Sequence, residues 1–518
     1  MSTAPETSKP VAASLVWSVL TVLSACVVVV AFRTRQCFVD DAFIDFQYLN
    51  NLLAGRGFVF YAGAAPVEGI TNIGWLLALA PLSTVADPAV VAKLVGLALV
   101  LSTLILMASL GRCLAARGEP AEESAGLVFA PILMLAASFD FVYFSLAGME
   151  TALLATILML GACLALDRPH SAWLPVLGAF AFLVHPEAVV IYPLYTLLCW
   201  LRSGADRRKL VVGNLILAVL LGGITAVRYW YFHALVPNTF YSKPSDLGVA
   251  LENGYNFLMG RNTNVAFPVT GWLAIPLLVL GYRRLGRRAP AAADMLAAIG
   301  GVGLAFAIYS PLDWTNLARH FAPYLPAALF LVWAGLAEAI RLLWGAGVRP
   351  QTRRAIAGLA GLALVLTNIF DIQAKLAETE VFPGYVLASK NLIGPAVWMR
   401  DHLPAEATIA TRRIGALAYY SQRKVFDYCY GLPDPEVARL VARQGRRFDV
   451  PTERALAAVW RARAPDYLLE DGAVMDLIVS RAAGTRQRFS IHGIAYRVVD
   501  KFSIGCDVQW VLAERIGR

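Results

Sequence analysis

The stretch CFVDDAFIDFQYLNNLLAGRGFVFYAGAAPVEGITN, residues 37–72, follows the first long apolar run of the chain and carries four acidic groups, Asp40, Asp41, Asp45 and Glu68. Asp is a favoured helix N-cap and glycine a favoured C-terminal stop, so Asp40 and Gly55 bracket an expected helix over 41–53. Phe43, Phe46, Leu49 and Leu53 recur on one face of it, the pattern of an amphipathic segment lying along a membrane surface. Which solvent surrounds these carboxylates decides what they do.

Composition answers that first. The 518 residues are 58% hydrophobic and 16% charged, with a mean hydropathy of +0.60, against about 45–50% and about 25% in soluble domains. This is the composition of an α-helical polytopic membrane protein. The net charge of +9 does not indicate nucleic acid, because the basic residues form no patch interleaved with aromatics. They sit instead in short gaps between apolar runs: Arg112 and Arg117, Arg168, Arg202 with Arg207, Arg208 and Lys209, Arg283 to Arg288, and Arg341 to Arg354. Such gaps are the signature of cytoplasmic loops.

Runs long enough to cross, or to cross with a break, lie near 12–32, 89–111, 125–140, 148–166, 171–185, 187–201, 210–232, 269–282, 291–309, 319–340 and 355–370. They imply about 11 transmembrane helices. The stretch 70–86 is read as juxtamembrane or re-entrant, since counting it as a span would place the arginine-rich gaps outside. The N-terminus is then cytoplasmic, 1–370 is a transmembrane module whose first external loop is 33–88, and 371–518 is extracytoplasmic. The first apolar run is too long for a signal-peptide core and is read as a retained helix. In the tail, short β-rich runs at Thr408–Thr411, Val425–Tyr428 and Tyr467–Glu470 alternate with helical stretches, which gives a C-terminal α/β domain. The seven cysteines show no metal-ligand spacing, and Cys429 and Cys506 are the pair available for a disulfide in an oxidising compartment.

This topology gathers the polar groups on the external side: Asp40, Asp41 and Glu68, the His185-Pro186-Glu187 break, Asn238, Tyr241 and Lys243, and Arg319-His320. Each has a plain reading when taken singly. The two aspartates suit a solvated interface, His185 and Glu187 would bond each other at a proline break, and Arg228 and Lys243 would snorkel. Tyr229, Trp230 and Tyr231 suit an interfacial belt. Ionisable groups at membrane depth nonetheless mark polar cavities.

As a set, VDDAFIDFQYLNNLLAGRGFVF with PVEGITN, the AGMETALLA helix start, the PEA break, VPNTFYSK, ARHFAPYLP and the tail run WMRDHLPAEATIATRRIGALAYYSQRKVFDYCYGLPDPEVA resemble the GT-C membrane glycosyltransferases. The resemblance is to their bacterial branch, which includes the mycobacterial terminal arabinofuranosyltransferases. It spans nearly the whole chain. One departure is His185, where relatives tend to carry arginine before the proline.

The resemblance implies the GT-C fold and a sugar, arabinofuranose favoured, passed from a polyprenyl-phosphate donor to an extracytoplasmic glycan or glycolipid acceptor in the bacterial cytoplasmic membrane. A phosphate leaves without protonation, so one carboxylate suffices as base, unlike the pair in glycosidases. By resemblance that base is Asp40 or Asp41, with Asp40 favoured because capping would fix its direction. Developing charge on the phosphate calls for cations, for which Lys243, Arg319, His320 and Arg228 are the candidates. Glu68, His185, Glu187, Asn238 and Tyr241 are candidates for sugar or acceptor hydroxyls. No cofactor is required and no metal ligands are assigned, although a divalent cation near the aspartates is compatible with the chemistry. The rivals are a lipid-linked sugar flippase, for which His185 and Glu187 would form a proton relay, and a glycan ligase using lipid diphosphate.

Overall fold

Inside a bilayer the backbone finds no partner but itself, so long apolar runs become helices. The computed structural model describes residues 11–517, apart from 118–120, 203–205, 244–246, 259–270, 311–317, 345–350, 353–354, 357, 360, 364, 367–380 and 505–507. Among the described residues, five helices are long and apolar enough to cross a membrane: Ala13–Arg33, Pro88–Ala116, Arg207–Phe232, Pro290–Tyr309 and Arg319–Leu343. Glu123–Ala136 and Phe139–Leu146, bent by 59°, make a sixth if they form one broken span.

The remaining expected spans are helical but shorter. Thr151–Asp167, Trp173–Val184, Ile191–Trp200 and Gly271–Gly286 have 17, 12, 10 and 16 residues, where about 20 cross a bilayer. Pro186 is one cause: it forces His185 into an extended conformation, φ −154°, and opens a 3₁₀ turn between two helices. Residues 355–370 lie partly outside the described residues. Ile73–Ser83, within the 70–86 stretch, is likewise short, at 11 residues or roughly 16 Å.

The chain divides into two compact units. One comprises Met1–Arg35, Ala92–Ile224 and Leu247–Thr379; the other comprises Gln36–Val91, Thr225–Asp246 and Glu380–Arg518. The sheet-bearing unit therefore includes the first loop and the 225–246 segment as well as the tail, which a boundary at 370 does not express.

In the helical unit, Gly271–Gly286 and the Leu325–Trp344 helix approach backbone to backbone. A Cβ at Gly281 would meet the carbonyl of Leu331, and one at Gly335 the carbonyl of Leu277. Small residues at crossings compensate for the missing hydrophobic drive between helices in lipid. Two basic gap residues are also structural. Arg202 forks onto the fully buried Asp294 at 2.7–3.1 Å, and buried Arg284 pairs with Glu123 and Glu338.

In the other unit, seven strands form one sheet in the order β2-β1-β3-β7-β6-β5-β4. Strands β1 (Thr408–Thr411), β2 (Lys424–Asp427) and β3 (Tyr467–Asp471) run parallel, close to the expected positions. Strands β4 (Ala483–Gly484), β5 (Arg488–Ile491), β6 (Ile494–Ile504) and β7 (Val508–Arg515) continue it antiparallel. The core is Ala410, Phe426, Tyr428, Trp460, Leu468 and Tyr496 with their neighbours. Cys429 is an unbridged thiol buried among them; Cys506 lies outside the described residues. Asp434 caps the Pro435–Gln444 helix, with Pro435 at its first turn.

The glycine crossing is testable. Gly335→Ala pushes a methyl into backbone, an overpacking cost of about 1–3 kcal/mol, so thermal denaturation of the purified protein is expected several degrees below wild type. Gly222→Ala, within the Arg207–Phe232 helix where a Cβ meets nothing within 4 Å, is expected to keep the midpoint or raise it slightly through helix propensity.

Candidate functional site

The helix of the opening stretch begins one residue earlier than expected, at Asp40, with Val39 as its N-cap and no side-chain cap. Asp40 therefore does not cap its own helix. Its carboxylate accepts from two amides in the C-terminal domain, Gly415 N–H to Oδ2 at 3.2 Å and Ala416 N–H to Oδ1 at 2.9 Å. These are the first donors of the Gly415–Ser421 helix, whose own N-cap, Ile414, has no side-chain oxygen to offer. Gly415 makes the approach possible, since a Cβ there would collide with the Asp40 carbonyl. Burial raises the Asp40 carboxyl above its ordinary value; the Ala416 amide and the Arg413 charge oppose that, and Asp41 adds to it. Asp41 itself is half-buried.

The apolar face beneath these acids turns into protein rather than onto lipid. Phe43, Phe46 and Leu49 are fully buried, while Leu53 is exposed. Phe43 packs on Tyr419 and Tyr420 with ring centroids 5.4 and 5.3 Å apart, and on Phe46 edge to face. Below them Asn72 donates to buried Asp45 at 2.6 Å, tying the end of the 37–72 stretch to its start.

Three further candidates in this unit serve one another. The Arg228 guanidinium donates twice to Glu68, at 2.6 and 3.0 Å, and both groups are buried. Burial still raises the Glu68 carboxyl, although Arg228 opposes it. The Asn238 backbone amide donates to the Glu68 carbonyl, and its side-chain Nδ2 donates to the carbonyls of Gly431 and Leu432 at 2.7 and 2.8 Å. Those carbonyls are presented by a turn that Asp427 organises, accepting from the amides of Cys429, Tyr430 and Leu432. Tyr241 and Lys243 are exposed. Tyr231 accepts from the Phe58 amide at 2.9 Å, while Tyr229 and Trp230 are exposed as belt residues would be.

The other candidates lie in the helical unit. His185 contacts Glu187 through Nδ1 and Glu150 through Nε2 at 3.5 Å. Tyr324 donates to Glu187 at 2.7 Å, and Phe306 packs edge-on against both His185 and His320. Arg319 and His320 are half-buried. The structure thus gathers Asp40, Asp41, Glu68, Arg228, Asn238, Tyr241 and Lys243 in one unit and His185, Glu187, Arg319 and His320 in the other. Glu150, Tyr324 and Arg413 are site neighbours that sequence reasoning did not assign. Among the described residues, no group of three or more His, Cys, Asp or Glu side chains is arranged to hold a metal ion.

A family model described as a domain of unknown function (DUF8728) matches residues 388–514. The chain is 29% identical over 374 aligned residues to a terminal β-(1→2)-arabinofuranosyltransferase of Mycobacterium tuberculosis, covering 64% of this chain and 57% of that protein. It spans little more than half the length of that relative. The fold is shared with ArnT of Cupriavidus metallidurans solved bound to undecaprenyl phosphate, with a TM-score of 0.52, 14% identity, and 97% and 98% of the two chains covered. It is shared also with the Archaeoglobus fulgidus oligosaccharyltransferase solved with zinc and sulfate, with a TM-score of 0.53, 12% identity, and 88% and 68% covered. The fold is accordingly the one shared with these two solved proteins, a helical module with several helices able to cross a membrane and a C-terminal sheet domain.

Leaving one member of a buried ion pair alone costs about 3–5 kcal/mol. Arg228→Ala is therefore expected to lower the thermal midpoint sharply, whereas Glu68→Gln combined with Arg228→Met recovers much of the loss, read by thermal denaturation of the three purified proteins.

Proposed function

We propose that the chain is an integral-membrane, inverting glycosyltransferase that moves a sugar, arabinofuranose first among candidates, from a polyprenyl-phosphate donor to a glycan or glycolipid acceptor. The observation that carries this reading is a carboxylate in the first loop of a GT-C fold, held in one direction by two amides. The similarity to an arabinofuranosyltransferase and the lipid phosphate bound by a protein of the same fold support it. In this reading the N-terminus is cytoplasmic and Asp40 and the C-terminal domain lie outside the cytoplasmic membrane, the orientation that the arginine-rich gaps support.

Asp40 is the base. Each of its oxygens spends one lone pair on an amide and keeps another for the acceptor hydroxyl. As the acceptor oxygen bonds to the anomeric carbon, its proton passes to Asp40 and the bond to the phosphate oxygen breaks on the opposite face. The phosphate departs as an anion without a general acid. Asp41 orients the acceptor or the donor sugar. Lys243, in the same unit as Asp40, is the cation proposed for the phosphate. Arg228, whose fork is committed to Glu68, sustains the scaffold, as do Glu68 and Asn238; Tyr241 is the hydroxyl-binding candidate of this unit.

Transfer from a panel of polyprenyl-phosphate sugars by purified protein tests the reading. Asp40→Asn is expected to lose transfer by at least about a hundredfold, the usual contribution of a positioned base, and Asp41→Asn by less. Donor that crosses the membrane without being consumed would instead establish the flippase, and consumption of lipid diphosphate alone the ligase. The pH profile gives an independent check. A base must be ionised, and burial raises the Asp40 carboxyl, so the acidic limb of kcat/KM is expected above the ordinary aspartate value of about 3.9.

A further inference from the structure

The 388–514 region matches a domain whose role is unassigned, yet it touches the proposed base directly. Strand β1 ends at Thr411 and the chain turns through Arg412, Arg413 and Ile414 into the Gly415–Ser421 helix. Within that turn the two arginines have opposite fates. Arg412 is drawn inward: its guanidinium binds fully buried Glu470 at 3.1 Å and Asp471 at 3.0 Å, and its amide donates to Glu470 at 2.8 Å. Arg413 is exposed, its amide donates to Thr411 Oγ1, and its guanidinium has no hydrogen-bond or ion-pair partner among the described residues. It lies two residues before Gly415, whose amide reaches the Asp40 carboxylate, and its charge acts on that carboxylate.

Because Arg412 is anchored on both sides, the position of the turn is set by the sheet. The turn in turn sets Asp40, through two amides that cannot rotate and a glycine that leaves no room to slide. We propose that the C-terminal α/β domain is a working part of the catalytic centre: its β1 turn aims Asp40 through the amides of Gly415 and Ala416, and Arg413 supplies the counter-charge to that carboxylate. The proposal rests on Asp40 being the base. The charged groups acting on Asp40 are Asp41, which opposes ionisation, and Arg413, which favours it.

The test is the pH dependence of kcat/KM for the full-length protein with a polyprenyl-phosphate sugar, in wild type, Arg413→Gln, Arg413→Lys and Gly415→Ala. Removing an opposite charge raises a carboxyl's pKa, by about one unit where the charges are close. Arg413→Gln is therefore expected to shift the acidic limb upward by about that amount with an unchanged thermal midpoint, and Arg413→Lys to restore the wild-type limb. Gly415→Ala is expected to lower plateau kcat by about a hundredfold, the scale of a small misplacement of a catalytic group, with donor KM unchanged. A limb in Arg413→Gln that coincides with wild type overturns the proposal even if Gly415→Ala fails to fold. Full kcat in a folded Gly415→Ala overturns it as well. Either result leaves the glycosyltransferase reading standing if wild type transfers sugar and Asp40→Asn does not. Wild type that consumes no donor defeats that reading, and this proposal with it.

Discussion

A carboxylate removed from water must be given donors, and in this chain Asp40 receives them from residues 375 and 376 positions away. Most of the sheet-bearing unit follows from that requirement. The donors come from a helix that lacks a capping side chain of its own, so one contact satisfies a desolvated acid and the exposed amides of a helix start together. The approach is close enough to demand glycine at 415. It also brings Tyr419 and Tyr420 over Phe43, which buries the apolar face of the first loop's helix under protein. The direction of Asp40 is consequently a property of the tail as much as of the loop that carries it.

A second set of polar contacts fixes the other end of the loop. Glu68 and Arg228 neutralise each other in a buried pair, and Asn238 joins the Glu68 backbone to the Gly431–Leu432 turn that Asp427 holds. Each group in this relay is desolvated and each finds a partner, which is what low-dielectric surroundings demand. The result is a framework of charge and amide alongside the apolar packing of the loop's aromatic residues, and its directional bonds fix the loop's register. Glu68, Arg228 and Asn238, which as a set suit sugar or phosphate, here also hold one another and the Gly431–Leu432 turn.

What was legible in the sequence depended on range. Apolar runs, the proline break at 186 and the three parallel strands declare themselves through local pattern, and the structure places them close to where that pattern puts them. The shortness of several helices was less legible, because an apolar run does not say where glycine and proline will end the hydrogen-bond ladder. The antiparallel half of the sheet was missed, since β6 and β7 mix charged and apolar residues and give weak alternation. The partner of Asp40 was beyond reach. Capping rules suggested its own helix, and nothing in TRRIG announces that Ile414 leaves amides for an acid from another part of the chain. That same motif holds two adjacent arginines whose different roles appear only when Glu470 and Asp471 take one of them.

The central claim is that an acceptor hydroxyl, deprotonated by a single oriented carboxylate, displaces lipid phosphate from one face of the sugar. The measurement that tests it most directly is the anomeric configuration of the product, followed by NMR during transfer from a polyprenyl-phosphate sugar of known configuration. A single displacement at the anomeric carbon, with Asp40 as base, predicts a product of inverted configuration from the first turnover. A product that retains the donor's configuration would require a second nucleophile and contradict the account.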